Sequence, residues 1–304
     1  MELLYWFESI RNPVLDVFMS LVTHLGEETF FMVGALFVFW CVDKRKGYYL
    51  LSVGFVGTLI NQWLKIICRV PRPWVKDPDF TIVEAARAEA TGYSFPSGHT
   101  QTAVGFFGGV ARFTALPWLR IASILILLLV SVSRMYLGVH TPADVGVSFV
   151  VAAVLVLVLY PLMESTLWFP NRLYGILGAL LALSLAFVGF MELFPFPAGT
   201  DPENLAHAVK NAYSMAGAVG GMLVTGVFDN RLLQFPNRAP WWGQAVKLAG
   251  GLALVVLVRS LLKAPLLALC GGHEIAHAIR YFLMVLTAGC LWPMTFRFFE
   301  RYDR

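Results

Sequence analysis

Charge is scarce in this chain. Asp, Glu, Lys and Arg make up 14% of its 304 residues, while hydrophobic residues make up 58%. A soluble domain usually carries about 25% charged residues, so a water-facing globular surface is excluded and a polytopic membrane protein is expected. A disulfide framework is also missing. The four cysteines, Cys41, Cys68, Cys270 and Cys290, are scattered in or beside apolar runs. They have no metal-ligand spacing and read as small buried hydrophobes. The N-terminus lacks the charged start, apolar core and small-residue cleavage site of a secretory signal, which leaves targeting to the first membrane helix. No low-complexity tract and no soluble domain interrupts the chain. The net charge of +4 is modest; no nucleic-acid partner is expected, and nothing indicates an oligomeric state.

What is present is a series of long apolar runs. The expected fold is all-α: a transmembrane helical bundle of about nine spans, with an amphipathic helix lying at the interface before them. Residues 1–25 mix apolar positions with Glu8, Arg11, Asn12, Pro13, Asp16 and His24, too polar for a span and suited to an interface. Spans are expected at 28–43, 46–68, 97–115, 117–137, 142–163, 172–194, 205–227, 244–262 and 276–297. Residues 1–165 form the interfacial helix plus a chemistry-bearing segment, and 166–304 an additional bundle of about four spans. Gly105 with Gly109, and Gly217 with Gly221, have the small-xxx-small spacing of close helix packing.

Basic residues set the orientation. Lys44, Arg45 and Lys46, then Arg112 and Arg120, Arg172, Arg231, Arg238 and Lys247, and finally Arg297, Arg301 and Arg304 mark cytoplasmic loops. The opposite face holds Glu192, Asp201 and Glu203 and the loop before Pro96. The N-terminus is then outside and the C-terminus inside. Lys65, Arg69, Arg72, Lys76, Arg87 and Arg134 fall on the outer side against the rule. A phosphate site there supplies the reason.

Three polar clusters meet at that face. In Tyr93-Ser94-Phe95-Pro96-Ser97-Gly98-His99, Ser97 is an N-cap, and Gly98 and His99 fall in a first helical turn whose N–H groups attract anions. In Lys65-Ile66-Ile67-Cys68-Arg69-Val70-Pro71-Arg72-Pro73, the prolines stop a helix and Pro73 pushes Arg72 into extended geometry. Lysine at such an end can equally be snorkelling. In Ser133-Arg134-x5-His140-Thr141-Pro142-Ala143-Asp144, Thr141 caps a helix, Pro142 suits its first position, and Asp144 sits where a capping acid would. Asp144 also lies four residues after His140, near enough to orient its ring and leave the other nitrogen nucleophilic. Guanidinium forks and an ammonium suit a tetrahedral oxyanion. No aspartate cluster of the kind magnesium needs accompanies them, so metal-free phosphoryl transfer through a phosphohistidine is the expected chemistry.

The pattern Lys65-x6-Arg72-Pro73, Pro96-Ser97-Gly98-His99 and Ser133-Arg134-x5-His140-x3-Asp144 resembles the three-part signature of the type 2 phosphatidic acid phosphatase superfamily, over roughly residues 45–165. The resemblance implies His140 as nucleophile, Asp144 as its orienting partner and His99 as general acid. It implies Lys65, Arg72, Ser97, Gly98 and Arg134 as the phosphate-binding set, with no metal and no cofactor. Arg69, Lys76 and Arg87 lie outside the signature and keep a supporting electrostatic role. The outside N-terminus, the span number and Arg72-Pro73-Trp74-Val75 are similar to glucose-6-phosphatase, and Ser133–Asp144 to sphingosine-1-phosphate phosphatase. The expected activity is hydrolysis of a lipid phosphate or isoprenyl diphosphate at the extracytoplasmic face. The membrane is that of the cell if bacterial and of the endoplasmic reticulum if eukaryotic. A soluble sugar phosphate is the alternative substrate.

Two other readings compete. His273-Glu274-Ile275-Ala276-His277 matches H-E-x-x-H, which on a helix places two histidines on one face for zinc with Glu274 as base, the reading of a membrane metalloprotease. No third ligand accompanies it. A transporter is compatible with nine spans, but its site belongs near the bilayer midplane rather than at the outer surface.

Overall fold

The computed structural model describes residues 1–164 and 170–302. The segment boundary expected at 165 and the terminal Arg304 lie outside the described residues. All regular structure among those residues is helical. They form two compact units, one of residues 1–34, 53–160 and 201–205, the other of 35–52, 161–200 and 206–304.

The first unit opens with α1 (Glu2–Ser9) and α2 (Pro13–Thr23). The expected single helix over 1–25 is broken between them. Asn12 is extended and its side-chain oxygen accepts the Leu15 N–H at 3.1 Å, so the cap starts a second helix with Pro13 at its first position. Along α2, Val14, Val17, Phe18 and Leu21 are exposed at i, i+3, i+4 and i+7, one apolar stripe. The opposite side grips the protein: Arg11 donates to the carbonyls of Thr81 (2.8 Å) and Tyr136 (3.1 Å), and the Tyr136 hydroxyl donates to Asp16 (2.7 Å). Leu4 packs with Phe80 and Ile82, and Phe7 with Ala86, Ala90 and Leu137.

A turn at His24–Gly26 leads into α3 (Glu28–Phe37), which continues through a wider π-type turn at Val38–Val42. Then follow α4 (Lys44–Cys68), the short α5 (Pro73–Lys76), α6 (Gly98–Phe113), α7 (Pro117–Tyr136) and α8 (Pro142–Glu164). α4 ends at Arg69, which takes the left-handed conformation (φ 48°) just before Pro71. α6 and α7 form a helical hairpin joined by Thr114–Leu116.

The second unit holds α9 (Asn171–Leu193), most of α10 (Pro202–Phe228), α11 (Trp241–Leu269), α12 (Ile275–Leu286) and α13 (Phe296–Glu300). A Cβ on Gly217 would stand 1.9 Å from the Ala278 carbonyl oxygen, and one on Gly221 2.9 Å from that of Phe282. The small-residue face of α10 therefore touches the α12 backbone, the packing expected of that spacing. A buried network joins Lys44 to Asp229 at 3.1 Å and Lys247 to the Asn237 carbonyl at 2.9 Å.

Among the described residues, six stretches are long and apolar enough to cross a membrane: Lys44–Lys76, Pro117–Tyr136, Pro142–Glu164, Asn171–Leu193, Trp241–Leu269 and Ile275–Glu300. A seventh is the pair Pro13–Gly26 and Glu28–Val42 taken together, bent by 51°. This falls short of the expected nine. α6 has 16 residues, a rise of about 24 Å against the roughly 30 Å of bilayer hydrocarbon. α10 has 27 residues, but Asn204, Lys210, Asn211 and its glycines and serine dilute its apolar character.

Candidate active site

The signature residues all belong to the first unit, on four segments whose ends converge. α4 delivers Lys65. The proline-bounded stretch after it delivers Arg72, extended as expected (ψ 155°) with Pro73 starting α5. Ser97 caps α6 by accepting the Thr100 N–H at 3.4 Å, and so sets Gly98 and His99 in the first turn. Arg134 closes α7, and its carbonyl accepts the N–H groups of Val139 (3.2 Å) and His140 (3.3 Å). That tight turn needs Gly138 at φ 80°, where a Cβ would also meet Arg11 Nη2 at 2.8 Å.

Asp144 caps α8 and also stands close to His140, whose buried Nδ1 has no hydrogen-bond partner in the present geometry. Its Oδ2 accepts the Thr141 N–H at 2.7 Å while the Thr141 hydroxyl accepts the Asp144 N–H at 3.3 Å, a reciprocal cap on α8. The same oxygen lies 3.6 Å from His140 Nδ1 and accepts the Ser94 hydroxyl at 2.6 Å. Its carbonyl accepts the Ser97 N–H at 3.2 Å, which ties the α6 start to the α8 start.

His140 is buried, with Asp144 at Nδ1 and Arg72 at Nε2. Arg72 Nη1 donates to Nε2 at 3.0 Å. A guanidinium has no lone pair to offer, so Nε2 must carry its own lone pair and the ring proton sits on Nδ1, toward Asp144. Burial first, then the charge of Arg72, hold the His140 imidazole well below the usual histidine range; Arg134 and Lys65 add to this and Asp144 opposes it. The result is a neutral imidazole whose free lone pair faces a cation.

Arg72 and Lys65 are positioned by backbone carbonyls, most of them in the loop before α6. Arg72 donates to Thr91 (2.7 Å), Gly92 (3.1 Å) and Val139 (3.0 Å), and Lys65 donates to Tyr93 (2.6 Å). Arg134, 1% exposed, donates to the Thr23 hydroxyl at 2.6 Å. A Cβ built on Gly98 would meet nothing within 4 Å, so open space adjoins the α6 N-terminus. His99 Nε2 faces Glu89 Oε2 at 3.7 Å. Arg87 is bound to Glu84 at 2.8 Å and lies 5.3 Å from the Trp74 ring, with Arg72 6.0 Å from the same ring.

Ser94, Thr23, Glu89 and the three loop carbonyls were not expected from the sequence. Ser94 had a visible signal, two residues before Pro96 in the polar stretch. The others did not. His24, Glu27 and Glu89 also bring three potential metal-ligand atoms within 4.8 Å of one another, the one such group among the described residues.

The H-E-x-x-H stretch does not have the geometry that zinc needs from it. α12 begins only at Ile275, so His273 and Glu274 precede the helix, after Gly271 and Gly272 at positive φ. His273 Nδ1 accepts the Ile275 N–H at 3.1 Å, and His277 contacts Arg280 through Nδ1 (3.0 Å) and Glu274 through Nε2 (3.3 Å).

Comparison with known proteins identifies the family. Residues 45–168 match the PAP2 superfamily, and residues 213–304 match the transmembrane extension of PAP2 superfamily phosphatases. Phosphatidylglycerophosphatase B of Bacillus subtilis is 34% identical over 155 residues, covering 45% of this chain and 69% of that protein. The chain belongs to the PAP2 superfamily. Undecaprenyl-diphosphatase BcrC of Bacillus subtilis is 30% identical over 48% of this chain and 74% of its own. A probable sphingosine-1-phosphate phosphatase of Dictyostelium discoideum is 30% identical over 48% of this chain, but over only 38% of its own length. No solved structure gives a significant match. This PAP2 chain is thus a multi-pass membrane protein of a phosphatase family, with the three signature clusters inside the first matched region and the α10–α13 bundle inside the second.

Proposed function

We propose that this protein hydrolyses a lipid phosphate monoester or an isoprenyl diphosphate at the extracytoplasmic face, through a phosphohistidine on His140. The observation that carries the reading is His140 itself, neutral, with Asp144 at one ring nitrogen and Arg72 3.0 Å from the other. Arg72 Nη1 occupies the Nε2 lone pair at 3.0 Å, so a phosphoryl group approaching Nε2 must take over that hydrogen bond with one of its own oxygens. In the first step Nε2 attacks phosphorus, the P–O bond to the leaving group breaks, and His99 gives its proton to the departing oxygen. The His140 ring becomes cationic, and Asp144 stabilises it through Nδ1–H. In the second step His99 takes a proton from water, the hydroxide attacks phosphorus, and inorganic phosphate leaves with Nε2 restored. Lys65, Arg72, Arg134, Ser97 and the Gly98 amide hold the charge that develops on the equatorial oxygens.

The amphiphilic substrate is supported by the relatives, which are named for phosphatidylglycerophosphate, undecaprenyl diphosphate and sphingosine-1-phosphate. The apolar stripe of α2 supports it too, as a face suited to the membrane interface. The outer location rests on the excess of basic residues in the opposite loops.

The test is phosphate release by detergent-purified protein in EDTA, with an isoprenyl diphosphate, phosphatidic acid, sphingosine-1-phosphate and glucose-6-phosphate as substrates. His140→Ala and His99→Ala should each lower turnover by roughly 10³-fold or more while leaving the fold intact. Full activity in either folded variant, or strict dependence on added divalent metal, overturns the mechanism. Preference for glucose-6-phosphate would move the substrate to the soluble class.

A further inference from the structure

The turn between α2 and α3 carries a group of ligands that the reaction above does not use. His24 ends the α2 segment, and Glu27 follows the turn at His24–Gly26. Glu89 arrives from the loop before α6. His24 Nδ1 is in close contact with Glu27 Oε1 and lies 3.6 Å from Glu89 Oε1. One imidazole and two carboxylates form a donor set suited to zinc and similar divalent ions, one ligand short of the usual four. Ligands bound at about 2.1 Å to a tetrahedral zinc lie roughly 3.4 Å apart; the His24–Glu89 separation of 3.6 Å is close to this, while His24 and Glu27 stand nearer and would have to part around an ion.

A second observation points to the same place. His99 Nε2 is buried without a hydrogen-bond partner and faces the other oxygen of Glu89 across 3.7 Å. That is too long for a hydrogen bond, and an unsatisfied buried ring nitrogen is costly. The turn that bears His24 and Glu27 is also fixed against His99. A Cβ on Gly26 would approach the His99 carbonyl oxygen to 3.0 Å and Val130 to 2.7 Å. The donors and the histidine are therefore held together by backbone packing.

We propose that His24, Glu27 and Glu89 bind a divalent transition-metal ion of the zinc class, and that the bound ion inhibits the protein by recruiting His99 Nε2 as a fourth ligand. A ligated Nε2 has no proton to give, so the leaving group departs unprotonated and turnover falls. The ion takes no part in phosphoryl transfer itself. The inhibition rests on the assignment of His99 as proton donor; the binding does not.

Zinc alone is the probe. Chelator-stripped, detergent-purified protein is titrated with Zn²⁺ by equilibrium dialysis and calorimetry, and phosphate release is followed in parallel. One ion per chain is expected, and His24→Ala and Glu27→Gln should each weaken binding by about 10-fold or more. Wild-type activity should fall as the site fills, whereas His24→Ala should retain its basal activity in EDTA and resist the same zinc concentrations. Absence of stoichiometric zinc in the wild type, or equal binding by wild type and both variants, overturns the site. Undiminished wild-type activity with zinc bound overturns the inhibition. If the protein releases no phosphate from any substrate, the binding arm still decides the site.

Discussion

Asp144 stands 3.6 Å from His140 Nδ1, and other groups hold it there. Its Oδ2 takes a hydroxyl from Ser94 and an amide from Thr141, and a charge-assisted bond of this kind is worth about 1.5–3 kcal/mol. Ser94→Ala should therefore lower kcat by roughly 10–100-fold with KM little changed, measured by steady-state phosphate release; an unchanged kcat would remove Ser94 from this account. The pH dependence follows from the same ring. Burial and Arg72 hold His140 low, so the neutral nucleophile persists into acid, and the acid limb of kcat should lie below the ordinary histidine value of about 6.5. The unfolded chain takes up that proton earlier, so stability should also decline as pH falls below about 6.5. A limb above that value would contradict the burial of a neutral ring. At this scale His140, Asp144, Arg72 and His99 were legible because their relations are local or follow a known spacing. Thr23 was not, and Ser94 only as a polar neighbour of Pro96, since their partners lie 111 and 50 residues away in sequence.

Gly138 shows what an element end must satisfy. The turn from α7 into α8 places it at φ 80°, with Arg11 and Phe80 closing the space a side chain would need. Gly138→Ala should cost about 1–3 kcal/mol, read as a lower Tm in detergent, and should also lower activity because the turn carries His140. An unchanged Tm would mean that the α1–α2 clamp yields easily. Most helices were legible as apolar runs between capping and proline signals. The exceptions have physical reasons. A cap at Asn12 outweighs the helical pattern of 1–25, and two glycines at positive φ keep His273 and Glu274 outside the helix that the H-E-x-x-H reading needs.

At the scale of the molecule, six or seven stretches among the described residues meet the length and apolarity of a span, against nine expected from hydropathy. α7, α8 and α9 meet it, so three crossings separate residue 79 from residue 238, and five do if α6 and α10 both cross. Either odd number puts the two positions on opposite sides. In a cysteine-free background, Asp79→Cys should react with an impermeant maleimide from outside and Arg238→Cys only after permeabilisation. Both are exposed positions. Labelling of both from one side would mean that just one of α6 and α10 crosses; reversed labelling would invert the orientation.

Composition alone determined that this chain lives in a membrane, because 58% hydrophobic residues cannot be buried by a domain with so few charges. Local spacing determined the three clusters and hence the PAP2 family, because caps, proline stops and the four-residue step from His140 to Asp144 act over short range. Tertiary structure alone decided which lone pair of His140 is free, which carbonyls aim Lys65 and Arg72, and that His24, Glu27 and Glu89 stand beside His99. Those relations depend on loops meeting in space, and neither periodicity nor local propensity encodes such a meeting.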